Sequence, residues 1–123
     1  MEGKKEGIER SEKVRKREEF IRLFKNGSRF YSPQYDLIVA ENQLGLTRVA
    51  VVVSRKIGNA VVRNYEKRLC REVFRKEKGK LKTGYDIVII VKYPTHNFKD
   101  SSEQLKELLL KALGPVFTGE CRI

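Results

Sequence analysis

At 123 residues the chain is long enough for one domain with a single modest core and too short for two. Its 27 Lys and Arg outnumber 16 Asp and Glu, and a net charge of +11 on so small a protein repels itself unless it meets a polyanion. No stretch approaches the ~20 apolar residues of a membrane span, and residues 1–17 alternate Lys/Arg with Glu, unlike a secretory signal.

The first element is a helix from about Ser11 to Asn26, with Phe20, Ile21, Leu23 and Phe24 spaced for one face and Gly27 as its C-cap. A short strand near Arg29–Tyr31 follows. Tyr35–Glu41 and Leu46–Ser54 then read as a hairpin joined by the Asn42–Gly45 turn. The run Val49–Val53 is apolar on both faces, which suits a central strand. Asn59 caps a long helix reaching about Lys78, and Tyr85–Val91 forms a second buried strand. A last helix is opened by a Ser101/Gln104 capping box, striped by Leu105, Leu108, Leu109 and Ala112, and stopped by Gly114-Pro115. The expected fold class is α+β, in the order α-β-β-(β)-α-β-α: a small mixed sheet of about four strands packed with helices. Residues 1–123 make one domain, with 1–10 and 115–123 expected to be loose. Cys70 and Cys121 fit neither a disulfide framework nor a zinc spacing, so both read as free thiols in a cytoplasmic protein.

The charge is local. Residues 54–82 carry 11 basic and 3 acidic side chains, most of the excess of the whole chain. At 100° per residue, Val62, Tyr65, Leu69, Cys70 and Val73 share one arc of the long helix and face the core. Arg63, Asn64, Lys67, Arg68, Arg71 and Arg75 share the opposite arc, with no acid between them. A helix that is merely soluble mixes its acids and bases to gain i,i+4 pairs. This one separates them into a strip matched to phosphates. Upstream, Ser54-Arg55-Lys56-Ile57-Gly58-Asn59 connects strand to helix; Gly58 allows a sharp turn, and the helix N-terminus offers N–H groups to an anion. Phe20, Phe24, Phe30, Tyr31 and Tyr35 cluster in the first third among Arg22, Lys25 and Arg29, the combination that binds single-stranded RNA by stacking. Core packing competes with that role for each ring; Phe20 and Tyr35, with Phe24, are the expected platform.

Catalytic groups are scarce. His96 stands alone in a loop, there is no Walker A loop and no GxGxxG, and Asp36 and Asp86 read as carboxylates that cap strand ends or pair with a neighbouring base. No catalytic residue and no protein-bound metal is expected.

The segment Ser54–Arg75, with its basic pair, then Gly58-Asn59-Ala60-Val61, Arg63-Asn64, Lys67-Arg68 and Arg71-Glu72, resembles the signature of the bacterial ribonuclease P protein family. The resemblance extends over about residues 13–113. Where the family has Arg-Asn-Arg, this chain has Arg63-Asn64-Tyr65; position 65 falls on the core side of the wheel, so the change is expected to spare RNA binding. The resemblance implies a division of labour. A catalytic RNA with Mg²⁺ removes the 5′ leader of precursor tRNA. The protein holds that RNA through Arg55, Lys56, Asn59, Arg63, Asn64, Lys67, Arg68, Arg71 and Arg75. The leader would lie in a cleft between first helix and sheet, at Phe20, Phe24, Tyr35 and Lys56. It also implies a left-handed β-α-β crossover, opposite to the usual hand. The partners are then the catalytic RNA and precursor tRNA, with no membrane and no small-molecule substrate. A ribosomal-type or RNA-chaperone domain with no part in tRNA processing is the alternative.

Overall fold

The structure, a computed structural model, describes residues 17–114, with only the backbone at Arg17, Glu19 and Phe20. The expectations for the two ends, for Cys121 and for the helix start at Ser11 lie outside the described residues. Three helices, α1 (Arg17–Asn26), α2 (Ala60–Glu77) and α3 (Phe98–Leu113), pack on one sheet of β1 (Ser28–Tyr31), β2 (Tyr35–Glu41), β3 (Arg48–Val53) and β4 (Tyr85–Val91). This is the α+β architecture anticipated, including the short extra strand.

Strand order is β1-β2-β4-β3, antiparallel except for the parallel β3/β4 pair. The hairpin reading is therefore corrected: β4 enters between β2 and β3. The loop at 42–47 still turns the chain, with Gln43 and Gly45 at positive φ and Asn42 Oδ1 accepting from the Leu44 amide, but it spans one strand. The central-strand reading of Val49–Val53 is corrected as well, because β3 lies at the edge. Burial on both faces and hydrogen bonding on both edges are separate properties, and a run of valines reports only the first.

Each strand alternates between two sides. Phe30, Tyr35, Leu37, Val39, Val49, Val51, Val53, Ile87, Ile89 and Val91 meet α2 and α3 in the main core. On the other side, among the described residues, Leu23, Ile38 and Val88 form a small buried cluster beneath α1. Gly27 closes α1 against the sheet, its amide donating to the Leu23 carbonyl at 2.9 Å. A Cβ there would stand 2.6 Å from Ile38 Cγ2 and 2.7 Å from the Leu23 oxygen. Close approach thus dictates the glycine. Gly27→Ala is expected to cost about 1–3 kcal/mol in a urea unfolding experiment.

Helix ends are set by caps. Asn59 caps α2, its side chain accepting from the Val62 amide at 3.0 Å. α3 begins a turn earlier than expected, with Asn97 as its cap. Ser101 and Gln104 are therefore no capping box. Ser101 Oγ donates to Gln34 Oε1, and Gln104 Oε1 accepts from the Gln34 amide. The same Gln34 donates to Tyr93 O and Thr95 Oγ1.

Candidate RNA interface

The basic helix is rotated from its expected position. Its buried residues are Glu66, Leu69, Cys70, Val73, Phe74 and Glu77, an arc turned by about 40° from the one drawn through Val62 and Tyr65. Two side chains account for the turn. Phe74 is fully buried, and Glu66 is buried because its carboxylate accepts both the Thr95 amide and the Thr95 hydroxyl at 2.7 Å. Tyr65 consequently leaves the core and stands 42% exposed beside the strip, which corrects its core-side placement. Cys70 is buried deep enough that desolvation, followed by the Glu66 charge, pushes its thiol far above the usual range.

The strip itself is present. Arg68 and Asn64 are exposed, and Arg63, Lys67, Arg71 and Arg75 are partly exposed along α2. One acid does reach it: Glu72 holds Arg75 in an i,i+3 ion pair, and the hydrogen bond from Arg75 brings the Glu72 carboxyl below its ordinary value. Arg63 Nε donates to the Gly58 carbonyl at 3.2 Å, tying the strip to the connection before it. There Arg55–Ile57 form one 3-10 turn with Arg55 and Lys56 exposed. Gly58 is extended rather than sharply turned; its need for glycine is a 2.9 Å approach to Val62 Cβ.

On the α1 side of the sheet, the pairing register lines residues up in rows. Arg48, Asp86 and Ala40 make one row; Ala50, Val88, Ile38 and Arg29 the next; Val52, Ile90, Asp36 and Tyr31 the last. Leu23 sits on the middle row and Arg22 reaches the first. The last row is left open, with Tyr31 63% exposed and Val52 at the other edge. Lys92 Nζ pairs with Asp36 across it at 2.9 Å. β3 runs out of this row directly into Ser54-Arg55-Lys56 and α2, so the row and the strip follow one another in the chain. Phe24, 41% exposed, projects from α1, its carbonyl accepting from Arg29.

Tyr35, expected to stack on RNA, does not belong here. It is fully buried on the opposite face, against α2 and α3, where desolvation keeps its phenol neutral far above the usual range. Tyr31 is the ring that the open row presents instead. Alternation along β2 places Tyr35 on the side of Leu37 and Val39, but Ile38 and Ala40 make the other side apolar too, so parity alone did not show which side was core. Phe20 lies among the residues whose side chains are not described.

Asp36 and Asp86, expected to cap strand ends or pair with a base, are both engaged by cations. Asp86 is fully buried and takes Arg48 Nε and Nη2 at 2.8 Å each, Asn42 Nδ2 at 2.7 Å and Arg22 Nη2 at 3.0 Å. Burial raises its carboxyl, but hydrogen bonds from Arg48 and Asn42 and the charges of Arg48 and Arg22 outweigh that and hold it below the ordinary value. A depressed folded value means that this site stabilises the fold above the ordinary carboxylate pKa of ~3.9 and loses that contribution as pH falls through the lower folded value. Urea midpoints measured downward from pH 5 should fall steeply in the wild type and less steeply in Asp86→Asn. Among the described residues no group of three or more His, Cys, Asp or Glu is placed to hold a metal ion.

A strip of guanidinium and ammonium groups, with an open row bearing an exposed ring at its end, defines an RNA-binding protein. Comparison with known proteins identifies which kind. The family model described as Ribonuclease P matches residues 8–113. A ribonuclease P protein component from Syntrophus aciditrophicus is 41% identical over 110 residues, 88% of this chain and 92% of that protein. The RNase P protein from Thermotoga maritima superposes with a TM-score of 0.72 at 33% identity, covering 81% of this chain and 96% of that one. That from Staphylococcus aureus gives 0.67 at 29%, covering 82% and 94%. The chain belongs to the bacterial ribonuclease P protein component family, and as such is part of a ribonucleoprotein endoribonuclease whose other component is RNA.

Proposed function

We propose that this protein holds the catalytic RNA of ribonuclease P along Arg55, Lys56, Asn59, Arg63, Asn64, Lys67, Arg68 and Arg71, with Arg75 shared with Glu72. We further propose that it receives the 5′ leader of precursor tRNA on the open row beside α1. The observation that carries this reading is that the two surfaces follow one another in the chain: Val52 stands at one end of the open row, and Arg55-Lys56 begin the basic strip. Phosphates are common to every leader, and so are base faces, so a basic rim with Tyr31 and Phe24 recognises leaders regardless of sequence. Catalytic Mg²⁺ belongs mainly to the RNA, since Asp36 and Asp86 are committed to Lys92, Arg48 and Arg22. The working compartment is the cytoplasm. The alternative of a ribosomal-type or RNA-chaperone domain has no support among the relatives found.

The test is cleavage of precursor tRNA by the RNA subunit at low Mg²⁺, with and without the protein. The RNA should cut at the leader junction more efficiently with the protein present, and RNA-free protein should leave the transcript intact. No change on adding the protein would overturn the reading.

A further inference from the structure

Two arginines converge on one carboxylate, and charge balance needs only one of them. Arg48 engages both oxygens of Asp86 in a bidentate fork, and Asn42 adds a further hydrogen bond. Arg22 is therefore surplus to neutralising Asp86. What it supplies is a link between elements: from α1 its Nη2 donates to Asp86 Oδ2 at 3.0 Å and its Nη1 to the Glu41 carbonyl at 3.1 Å.

That link adds to the hold that the described part of α1 has on the sheet. Of the described α1 side chains, Leu23 alone is buried, against Ile38 and Val88. Apolar contact is non-directional and does not by itself fix how a helix is rotated. A planar guanidinium holding two acceptors on different residues fixes both rotation and lateral position. Phe24 follows Leu23 directly, so a roll of α1 moves this ring relative to the open row of Val52, Ile90 and Tyr31.

We propose that Arg22 is a positioning residue for leader binding: by bridging Asp86 and the Glu41 carbonyl it sets how α1 stands over the sheet, and so where Phe24 stands relative to the open row. The proposal rests on the leader reading of that row. Arg22 is 39% exposed, so a direct bond to a leader phosphate is the competing role.

The experiment uses the holoenzyme reconstituted with the RNA subunit, and compares wild type, Arg22→Met, which keeps the stem, and Arg22→Lys, which keeps the charge without the fork. Affinities for precursor and mature tRNA are measured over a range of salt. Melting temperature and amide exchange are measured on the free protein. Arg22→Met should lower the precursor-to-mature affinity ratio by about three- to tenfold, the effect of removing a partly exposed charged hydrogen-bond pair. Mature tRNA affinity and salt slope should hold and the melting temperature should fall only a little, while amides at 23–26 exchange faster and those of β4 do not. Arg22→Lys should restore the ratio only in part.

A salt slope reduced by about 0.7–0.9 with full rescue by lysine would make Arg22 a phosphate contact and overturn the proposal. Equal loss for both RNAs with a lower melting temperature would overturn it too, leaving Arg22 an ordinary structural residue. An unchanged ratio despite faster α1 exchange would show that α1 position does not matter. If wild-type holoenzyme does not itself prefer precursor tRNA, the leader reading fails, and the proposal falls with it for a separately visible reason.

Discussion

Replacing Arg68 and Arg71 together with alanine should lower affinity for the catalytic RNA by about ten- to a hundredfold at moderate salt. It also flattens the log–log salt dependence by about 0.7–0.9 for each phosphate that is no longer neutralised. The magnitude follows from their setting. Arg68 is exposed and Arg71 partly so, and both lie on the side of α2 away from the core, where alanine leaves no cavity and the melting temperature should hold. Each guanidinium removed takes away a charge-assisted hydrogen bond to a phosphate and returns a counterion to the RNA. Arg75→Ala should cost less, because Glu72 already competes for that guanidinium. Glu72→Ala should, conversely, tighten binding slightly. Filter or fluorescence titrations at several salt concentrations check all three. A double variant with unchanged affinity and slope would make the strip an ordinary solvated face.

Tyr31→Ala should weaken precursor tRNA binding by about 1–3 kcal/mol, the usual worth of one stacked base, and leave mature tRNA almost unaffected. Tyr31 is exposed on a short edge strand, so its removal opens no cavity. Tyr35→Ala makes the contrasting case. This ring is among the largest fully buried side chains, and its loss should cost about 3–5 kcal/mol of stability, weakening both RNAs alike through loss of folded protein. Affinities and melting temperatures of the two variants, measured side by side, separate stacking from packing. If Tyr31→Ala bound both RNAs as the wild type does, the open row would not be the leader site.

The separation of charged from apolar side chains on α2 is legible in the sequence because it is local. The segregation of Arg63, Lys67, Arg68 and Arg71 from Leu69, Cys70 and Val73 is a property of one helix, readable from spacing alone. Errors arose wherever a residue's position depended on a distant partner. Nothing in its own stretch of sequence marks Glu66 for burial, yet Thr95, from the loop before α3, draws it inside and turns the whole helix with it. Asp86 does pair with a base, as expected, but which partners it takes is not legible locally, because Arg22, Asn42 and Arg48 come from three separate places in the chain. The β2–β3 hairpin was the natural reading of two strands and a turn. Only the later arrival of β4 shows that the space between them was reserved.

That reserved place bears on how the protein comes off the ribosome. The strand that pairs with both β2 and β3 is β4, the last of the four to be made. Until it emerges, β3 has no partner strand and β2 has only the four residues of β1. The strongly basic α2 is complete by then but has no finished sheet to dock on. Sheet closure therefore waits for sequence-distant pairing, a slow kind of step that leaves strand edges open in the interval. A nascent chain stopped before Tyr85 would present an undocked cationic helix and unpaired strands to every RNA within reach. Productive engagement with the catalytic RNA thus belongs to the finished chain, and β4, which gives the proposed interface only Ile90 of the open row, decides when the sheet that carries it is complete.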